Sequence, residues 1–370
     1  MAFDPNAAAP PGSGIFGLPH REDEAAIVLV PVPFAATVSY GGGAENGPDA
    51  ILAASAQVDL YDLEYGRVYE HGIHLLAADG DVVAAQAPTR ALVEGVLADG
   101  GVAPGSARVA PIDAAGALVN ARVHAATARV LAAGRSPGIV GGDHSVPYGS
   151  IRACAERFPG LGILHVDAHA DLRVAYEGFR WSHASIMDNV LRDVPQVARL
   201  VQVGIRDFCE QEFLAIQQSG GRIVTHFDAH WQRRRLCGET FDRLCQEAIA
   251  ALPDDVYVSI DIDGLDPALC PHTGTPVPGG LQFSELAHLI ACLAASGRRI
   301  VGFDLVEVAP GPDEWDANVA ARVLYKLCGA ALRTRRCRAA RAAGDRLPQS
   351  CLSRTSPCRR PRRPTRRSGR

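Results

Sequence analysis

Leu161-Gly162-Ile163-Leu164-His165-Val166-Asp167-Ala168-His169-Ala170-Asp171 is the stretch on which the fold turns. Its opening, up to Val166, is a short and largely apolar run suited to a strand buried on both faces. Its close alternates acid, alanine, imidazole, alanine, acid. In an extended chain residues i, i+2 and i+4 point to one side, so this spacing predicts that Asp167, His169 and Asp171 project together. Carboxylates converging at a buried strand end repel unless protonated or neutralised, and a divalent cation is the simplest neutraliser. The plain alternative, an exposed acidic loop, is disfavoured by the apolar strand that leads into it. Ligands of open parallel α/β sheets bind at the carboxyl ends of such strands.

Outward from this stretch, short β-branched runs alternate with longer helix-periodic segments from Ala25 to Leu332, the pattern of a doubly wound α/β domain with a mostly parallel sheet. Strands are predicted at Ala26–Pro31, Gly138–Val140, Leu161–Val166, Leu200–Val203, Arg222–Thr225, Asp255–Ile260 and Arg299–Phe303. Helices are predicted near Pro48–Asp59, Ala114–Ala133, Val146–Arg157, Ala184–Arg192, Glu210–Gln218, Glu239–Ala251, Phe283–Ala295 and Asp316–Leu332. Gly72–Pro111 is weakly periodic and reads as a surface excursion with one helix near Thr89–Leu97, long enough to reach a site. The organisation expected is an N-terminal extension over 1–24, a catalytic domain over 25–332 and an Arg-rich, disordered tail over 333–370.

The 370 residues are 47% apolar and 21% charged, an ordinary globular composition that excludes disorder of the whole. The net charge of −4 hides an asymmetry: residues 333–370 carry 14 Arg against Asp345, giving +13, and the remainder carries −17. The opening Met1–Gly14 segment has neither a basic nor an apolar region of a secretory leader, and no apolar run approaches the roughly 20 residues of a membrane span. A cytoplasmic protein without a membrane partner is expected. Cys154, Cys209, Cys237, Cys245, Cys270, Cys292 and Cys328 make no CxxC pair, so reduced thiols are expected. The basic tail raises nucleic-acid binding as a competing function, but it lacks aromatic interleaving and any module, and an altered reading frame or unselected extension explains its composition better.

Two further segments end predicted strands with chemistry. In Gly141-Gly142-Asp143-His144-Ser145 the glycines permit a sharp turn that leaves His144 at the strand end; alone, this is more often a structural histidine. In Ser259-Ile260-Asp261-Ile262-Asp263-Gly264-Leu265-Asp266-Pro267, Asp261 and Asp263 share a face by the period-two rule, with Ile262 turned into apolar packing and Asp266 capping the turn. His144, Asp167, His169, Asp171, Asp261 and Asp263 together exceed the needs of one catalytic cation, which implies two. A metal pair roughly 3.5–4 Å apart lowers the pKa of water and suits hydrolysis. Four carboxylates, two imidazoles and no thiolate favour Mn²⁺, with Ni²⁺, Co²⁺ and Fe²⁺ open.

These three segments, in this order and spacing, resemble the signatures of the ureohydrolases, the arginase and agmatinase family, over Ala25 to Leu332. The resemblance implies a three-layer α/β/α sandwich, a dinuclear manganese centre, hydrolysis of a guanidino compound to an amine and urea, and a trimer or hexamer. It implies that His144 binds one metal and His169 the other, that Asp167 and Asp261 bridge, and that Asp171 and Asp263 complete the sites. His183, in Trp181-Ser182-His183-Ala184, resembles the mobile catalytic histidine that passes a proton to the leaving amine; its bland reading is a helix-start histidine. Glu307, in Val306-Glu307-Val308-Ala309-Pro310, resembles the carboxylate that receives the guanidinium; its bland reading is a surface acid.

An arginase also reads an α-amino acid head group through a Ser/Asn-rich loop, and Leu172–Trp181 offers aromatics and arginines instead. An agmatinase-like substrate follows, in keeping with a body charge of −17. Arg173 or Arg180 facing the pocket would instead favour guanidinobutyrate or formimidoylglutamate, and closure by Trp181 and Phe179 would favour free guanidine. A catalytically silent homologue is opposed by the complete ligand set.

Overall fold

The computed structural model describes residues 3–10 and 12–343. Eight strands form one sheet: β1 (Ile27–Val32), β2 (Ile73–Leu75), β3 (Ser136–Gly141), β4 (Leu161–Val166), β5 (Val197–Val203), β6 (Ile223–His226), β7 (Asp255–Asp261) and β8 (Arg299–Val306). Their order is β2-β1-β3-β8-β7-β4-β5-β6 and every pairing is parallel. The helices are α1 (Gly47–Ser55), α2 (Gly80–Leu97), α3 (Ala110–Ala132), α4 (Tyr148–Arg157), α5 (Ile186–Asp193), α6 (Glu210–Gln218), α7 (Asp228–Leu236), α8 (Phe241–Ala250), α9 (Phe283–Ala295) and α10 (Trp315–Ala343).

The predicted three-layer sandwich is present, and strand alternation shows how it is built. On β4, Leu164 and Val166 join one core with α1, α8, α9 and α10, while Leu161 and Ile163 join the other with α4 and α5. On β7, Val256, Val258 and Ile260 face the first core and Tyr257 the second. With apolar side chains on both faces, each central strand needs a helical layer on each side. No helix among the described residues is long and apolar enough to cross a membrane, and the seven body cysteines are free thiols.

Several expectations change. The Gly72–Pro111 excursion contains the short edge strand β2 and a helix that begins at Gly80, nine residues before the predicted Thr89. Asp79 caps it, its carboxylate accepting from Asp81 and Val82 N–H. Helix α7 was not predicted, because only Asp228 and Trp231 of its polar sequence are buried and no apolar period marks it.

Helix α10 does not stop at Leu332, so residues 333–343 are helical rather than disordered. Buried Thr334 accepts the Ile300 N–H at 3.1 Å, and Arg338 pairs with Asp255 at 3.2 Å. Residues 344–370 of the predicted tail lie outside the described residues. The core also begins before Ala25, since Ile15, Phe16 and Leu18 are buried in it and Phe16 packs edge-on against Tyr325 on α10.

Candidate active site

Strands β3, β8, β7 and β4 are neighbours, and because all are parallel their carboxyl ends share one edge of the sheet. His144 follows β3, Glu307 follows β8, Asp261 ends β7, and Asp167, His169 and Asp171 follow β4. Segments more than a hundred residues apart thus meet across a few strand spacings of roughly 4.8 Å.

The six predicted ligands come together. His144 Nδ1 lies 3.0 Å from Asp167, 3.1 Å from Asp171 and 3.2 Å from Asp261. His169 Nδ1 lies 3.1 Å from Asp263 and 3.5 Å from Asp167. All but His169 are buried. Local geometry differs from the extended chain assumed for them. Strand β4 ends at Val166, Asp171 has a φ of 55°, and Asp263 sits in a 3-10 turn over Ile262–Gly264. The side chains converge through turns: Asp167 accepts the His169 N–H at 2.6 Å, Asp261 the Asp263 N–H at 2.8 Å, and Asp263 the Ala168 N–H at 3.0 Å. Ile262 is buried in apolar packing and Asp266 caps its turn through the Ala268 N–H, as expected.

The donor set fits divalent metal. Two groups of donor atoms, His144, His165, Asp167 and Asp171 in one and Asp167, His169 and Asp263 in the other, each lie within 4.8 Å of one another and share Asp167. His144 Nδ1, although close to three carboxylates, makes a hydrogen bond to none of them. Burial, then Asp263 and Asp167, push the Asp261 carboxyl well above its usual range. Burial opposes charge on His169, yet Asp263 and Asp167 push its imidazole up to about 12. Both shifts express one imbalance, an excess of negative charge that the protein's own groups do not neutralise.

Several supporting residues escaped the sequence reading. His165 Nδ1 accepts from Gln202 Nε2 at 3.0 Å, which fixes the other ring nitrogen as the donor to Asp167 at 2.8 Å. On the far side of the His144 ring, Nε2 meets Ser259 Oγ at 3.0 Å, and that hydroxyl donates to Asp304 at 3.0 Å. This arrangement aims Nδ1 at the carboxylates. Arg206 clamps the β7 turn through the carbonyls of Asp263, Leu265 and Val277. For His165, Ser259 and Asp304 the signal was a polar residue inside a buried strand; Gln202 and Arg206 depend on partners far away in sequence.

Above this floor is a cavity of about 160 Å³ whose wall includes His183, Glu307, Tyr176, Arg173, Asp207 and Glu212. His183 is half-buried, its backbone N–H donates to Thr37 Oγ1 at 3.1 Å, and its Nδ1 has no partner. Thr37 in turn donates to buried Asp143 at 3.0 Å. The loop carrying Thr37 is braced by α2, with Gln86 accepting the Ala35 N–H and Arg90 donating to the carbonyls of Ala36 and Val38. The excursion therefore does reach the site, as a brace. Burial lowers the His183 imidazole below its usual pKa, against the pull of Asp143 and Asp171.

Glu307 is buried, not a surface acid, and holds a φ of 62°. Its carboxylate accepts the His144 N–H at 2.8 Å, and its own N–H donates to the Gly142 carbonyl at 2.8 Å. A side chain at position 142 would collide with the Phe34 carbonyl, which explains the glycine. Arg173 lines the cavity, stacked on Tyr176 and 3.7 Å from Glu212. Arg180 points elsewhere, pairing with Asp193 and stacking on Trp181. Phe179 is buried against Val93 and Ile112, and Trp181 packs on Tyr148, so neither closes the cavity.

Neighbouring parallel strand ends that gather imidazoles and carboxylates beneath a small polar cavity define a metal-dependent hydrolase. The comparisons with known proteins make this particular. A family described as "Arginase family" matches residues 25–329. The N(1)-aminopropylagmatine ureohydrolase of Thermus thermophilus is 34% identical over 309 residues, covering 83% of this chain and 90% of its own. The proclavaminate amidinohydrolase of Streptomyces clavuligerus is 31% identical over 308 residues, covering 81% and 87%. The crystal structure of the agmatine ureohydrolase of Thermoplasma volcanium superposes with a TM-score of 0.68 at 25% identity, covering 87% of this chain and 94% of that one. This chain belongs to the arginase family, and its reaction is hydrolysis of a guanidino carbon–nitrogen bond with release of urea.

Proposed function

We propose that the chain is a manganese-dependent, agmatinase-like amidinohydrolase acting on a guanidino compound with a cationic tail. The observation that carries the two-metal part is the pair of donor groups sharing Asp167. In this reading His144 and Asp171 would hold one ion and His169 and Asp263 the other, with Asp167 and Asp261 shared between them. A bound pair supplies Lewis acidity and makes hydroxide available at neutral pH. Oxygen-rich donors without thiolate support Mn²⁺, with Ni²⁺ or Co²⁺ as alternatives.

Glu307 receives the guanidinium. Burial and Asp143 raise its carboxyl, and a bound cation would restore its charge. His183, with an unpartnered Nδ1 and a lowered pKa, accepts and returns a proton at the departing amine. Farther out, Asp207 and Glu212 outnumber Arg173 on the cavity wall, which supports a cationic tail. Arg173 itself supports a second reading, a carboxylate-bearing substrate such as guanidinobutyrate. The free-guanidine alternative loses its support, because Phe179 and Trp181 do not line the cavity.

The test is urea release by Mn²⁺-, Ni²⁺- or Co²⁺-loaded protein from agmatine, N(1)-aminopropylagmatine, guanidinobutyrate and guanidine, with formimidoylglutamate assayed for formamide. Preference for agmatine or its aminopropyl derivative with Mn²⁺ is expected. Preference for guanidinobutyrate would select the second reading, and formamide without urea would overturn both.

A further inference from the structure

We propose that Asp242, His288 and Cys292 form a second metal site, separate from the catalytic floor, that takes a zinc-class cation and staples α8 to α9.

The sequence places the candidates as Asp242 on α8 and His-x-x-x-Cys on α9. Residues four apart on a helix lie on one face, so α9 offers a pair of donors to Asp242. His288 Nε2 lies 3.0 Å from Asp242 Oδ1, Cys292 Sγ lies 3.3 Å from His288 Nε2, and Cys292 Sγ lies 3.6 Å from Asp242 Oδ1. These atoms fall within 4.8 Å of one another. Zinc bonds of about 2.0–2.3 Å in a tetrahedron imply donor separations of roughly 3.3–3.8 Å, close to those seen. Water entering past exposed Asp242 would fill the fourth corner.

Burial grades across the cluster from the buried Cys292 thiol to half-buried His288 and exposed Asp242, giving a dry sulfur side and an entry path from solvent. A buried cysteine is ordinarily a small apolar residue. At Cys292, however, the thiol meets an imidazole and a carboxylate, and the carboxylate comes from the neighbouring helix. One sulfur, one imidazole and one carboxylate suit Zn²⁺ or Co²⁺ better than Mn²⁺, the converse of the oxygen-rich floor. The helices precede the adjacent strands β7 and β8, so a staple between them would hold the strands that carry Asp261 and Glu307.

The test uses full-length reduced protein, freed of metal by chelation and titrated with Co²⁺. The catalytic floor has no thiolate, so thiolate-to-cobalt charge-transfer absorption reports only the proposed site. The expected result is a band saturating at one cobalt per chain, bleached by Zn²⁺ and lost in Cys292→Ser. His288→Ala leaves the buried thiol in place and keeps the test open if Cys292→Ser does not fold; its half-saturating Co²⁺ concentration should rise at least about tenfold, the loss caused even by removing a residue behind a ligand. No band in the reduced wild type, a band unchanged in Cys292→Ser, or unchanged affinity in His288→Ala would overturn the proposal.

Discussion

Strand β7 begins and ends on an aspartate, and the two are treated in opposite ways. Asp255, at the amino end, receives two hydrogen bonds from Arg299, at 2.8 and 2.9 Å, and a third contact from Arg338 at 3.2 Å. Asp261, at the carboxyl end, lies among Asp167, Asp263 and Glu307 with His144 as its nearby base, and burial with those acids drives its carboxyl up. One edge of the sheet balances its charges with guanidinium groups from the chain; the other leaves a deficit that an ion must fill. Removing charge should therefore affect chemistry at the carboxyl edge and stability at the amino edge.

The largest effect is expected at Asp261→Asn. The amide keeps the shape but lowers the negative charge available to a metal pair, so elemental analysis should find fewer than two Mn²⁺ per chain. The rate should fall by about 10³-fold or more, equivalent to roughly 4 kcal/mol of transition-state stabilisation. Normal metal content with near-normal activity would break the contrast between the two ends of the strand. Next comes His183→Ala, expected to lower kcat about 10²-fold with little change in KM or metal content if the ring, unpartnered at Nδ1 on the cavity wall, carries the proton as proposed. A proportional loss of metal would reassign it to the floor.

Much of this contrast was legible in advance at the carboxyl edge and almost none of it at the amino edge. Catalytic donors cluster in sequence because a strand end and the turn after it form one local unit, so Asp167, His169 and Asp171 announce themselves together. The side chains expected to converge do so through turns rather than an extended chain, because the backbone that redirects Asp171 and Asp263 depends on contacts with other strand ends. The groups orienting the ligands lie far off in sequence, as Gln202 does from His165 and Asp304 from Ser259. At the amino edge, arginine density past Leu332 suggested an unfolded tail. Alanine and arginine are also strong helix formers, and the segment packs along the starts of β1, β7 and β8.

Between the edges in expected size is Arg173→Ala, on the cavity wall. Arg173 is partly exposed and faces Glu212 at 3.7 Å, so its field is both screened and partly cancelled. Its removal should shift the ratio of kcat/KM for agmatine over guanidinobutyrate toward agmatine by about fivefold or less. A collapse of activity on agmatine would show that this arginine shapes the cavity rather than filtering charge.

The smallest effects belong to the amino edge and are confined to stability. Thr334→Ala removes the hydroxyl that receives the buried Ile300 N–H at the start of β8, leaving a donor without its partner at a cost of about 1–2 kcal/mol. Arg338→Ala removes a half-exposed partner from an aspartate that still holds Arg299, and should cost about 0.5 kcal/mol or less. Both variants should retain normal kcat and metal content, with urea unfolding separating them in that order. A chain ending at Leu332 removes both contacts and should lose at least the Thr334 increment. Stability of that truncated chain equal to the full-length protein would mean that residues 333–343 do not secure the sheet, and among the described residues Arg299 would then carry the charge balance at Asp255.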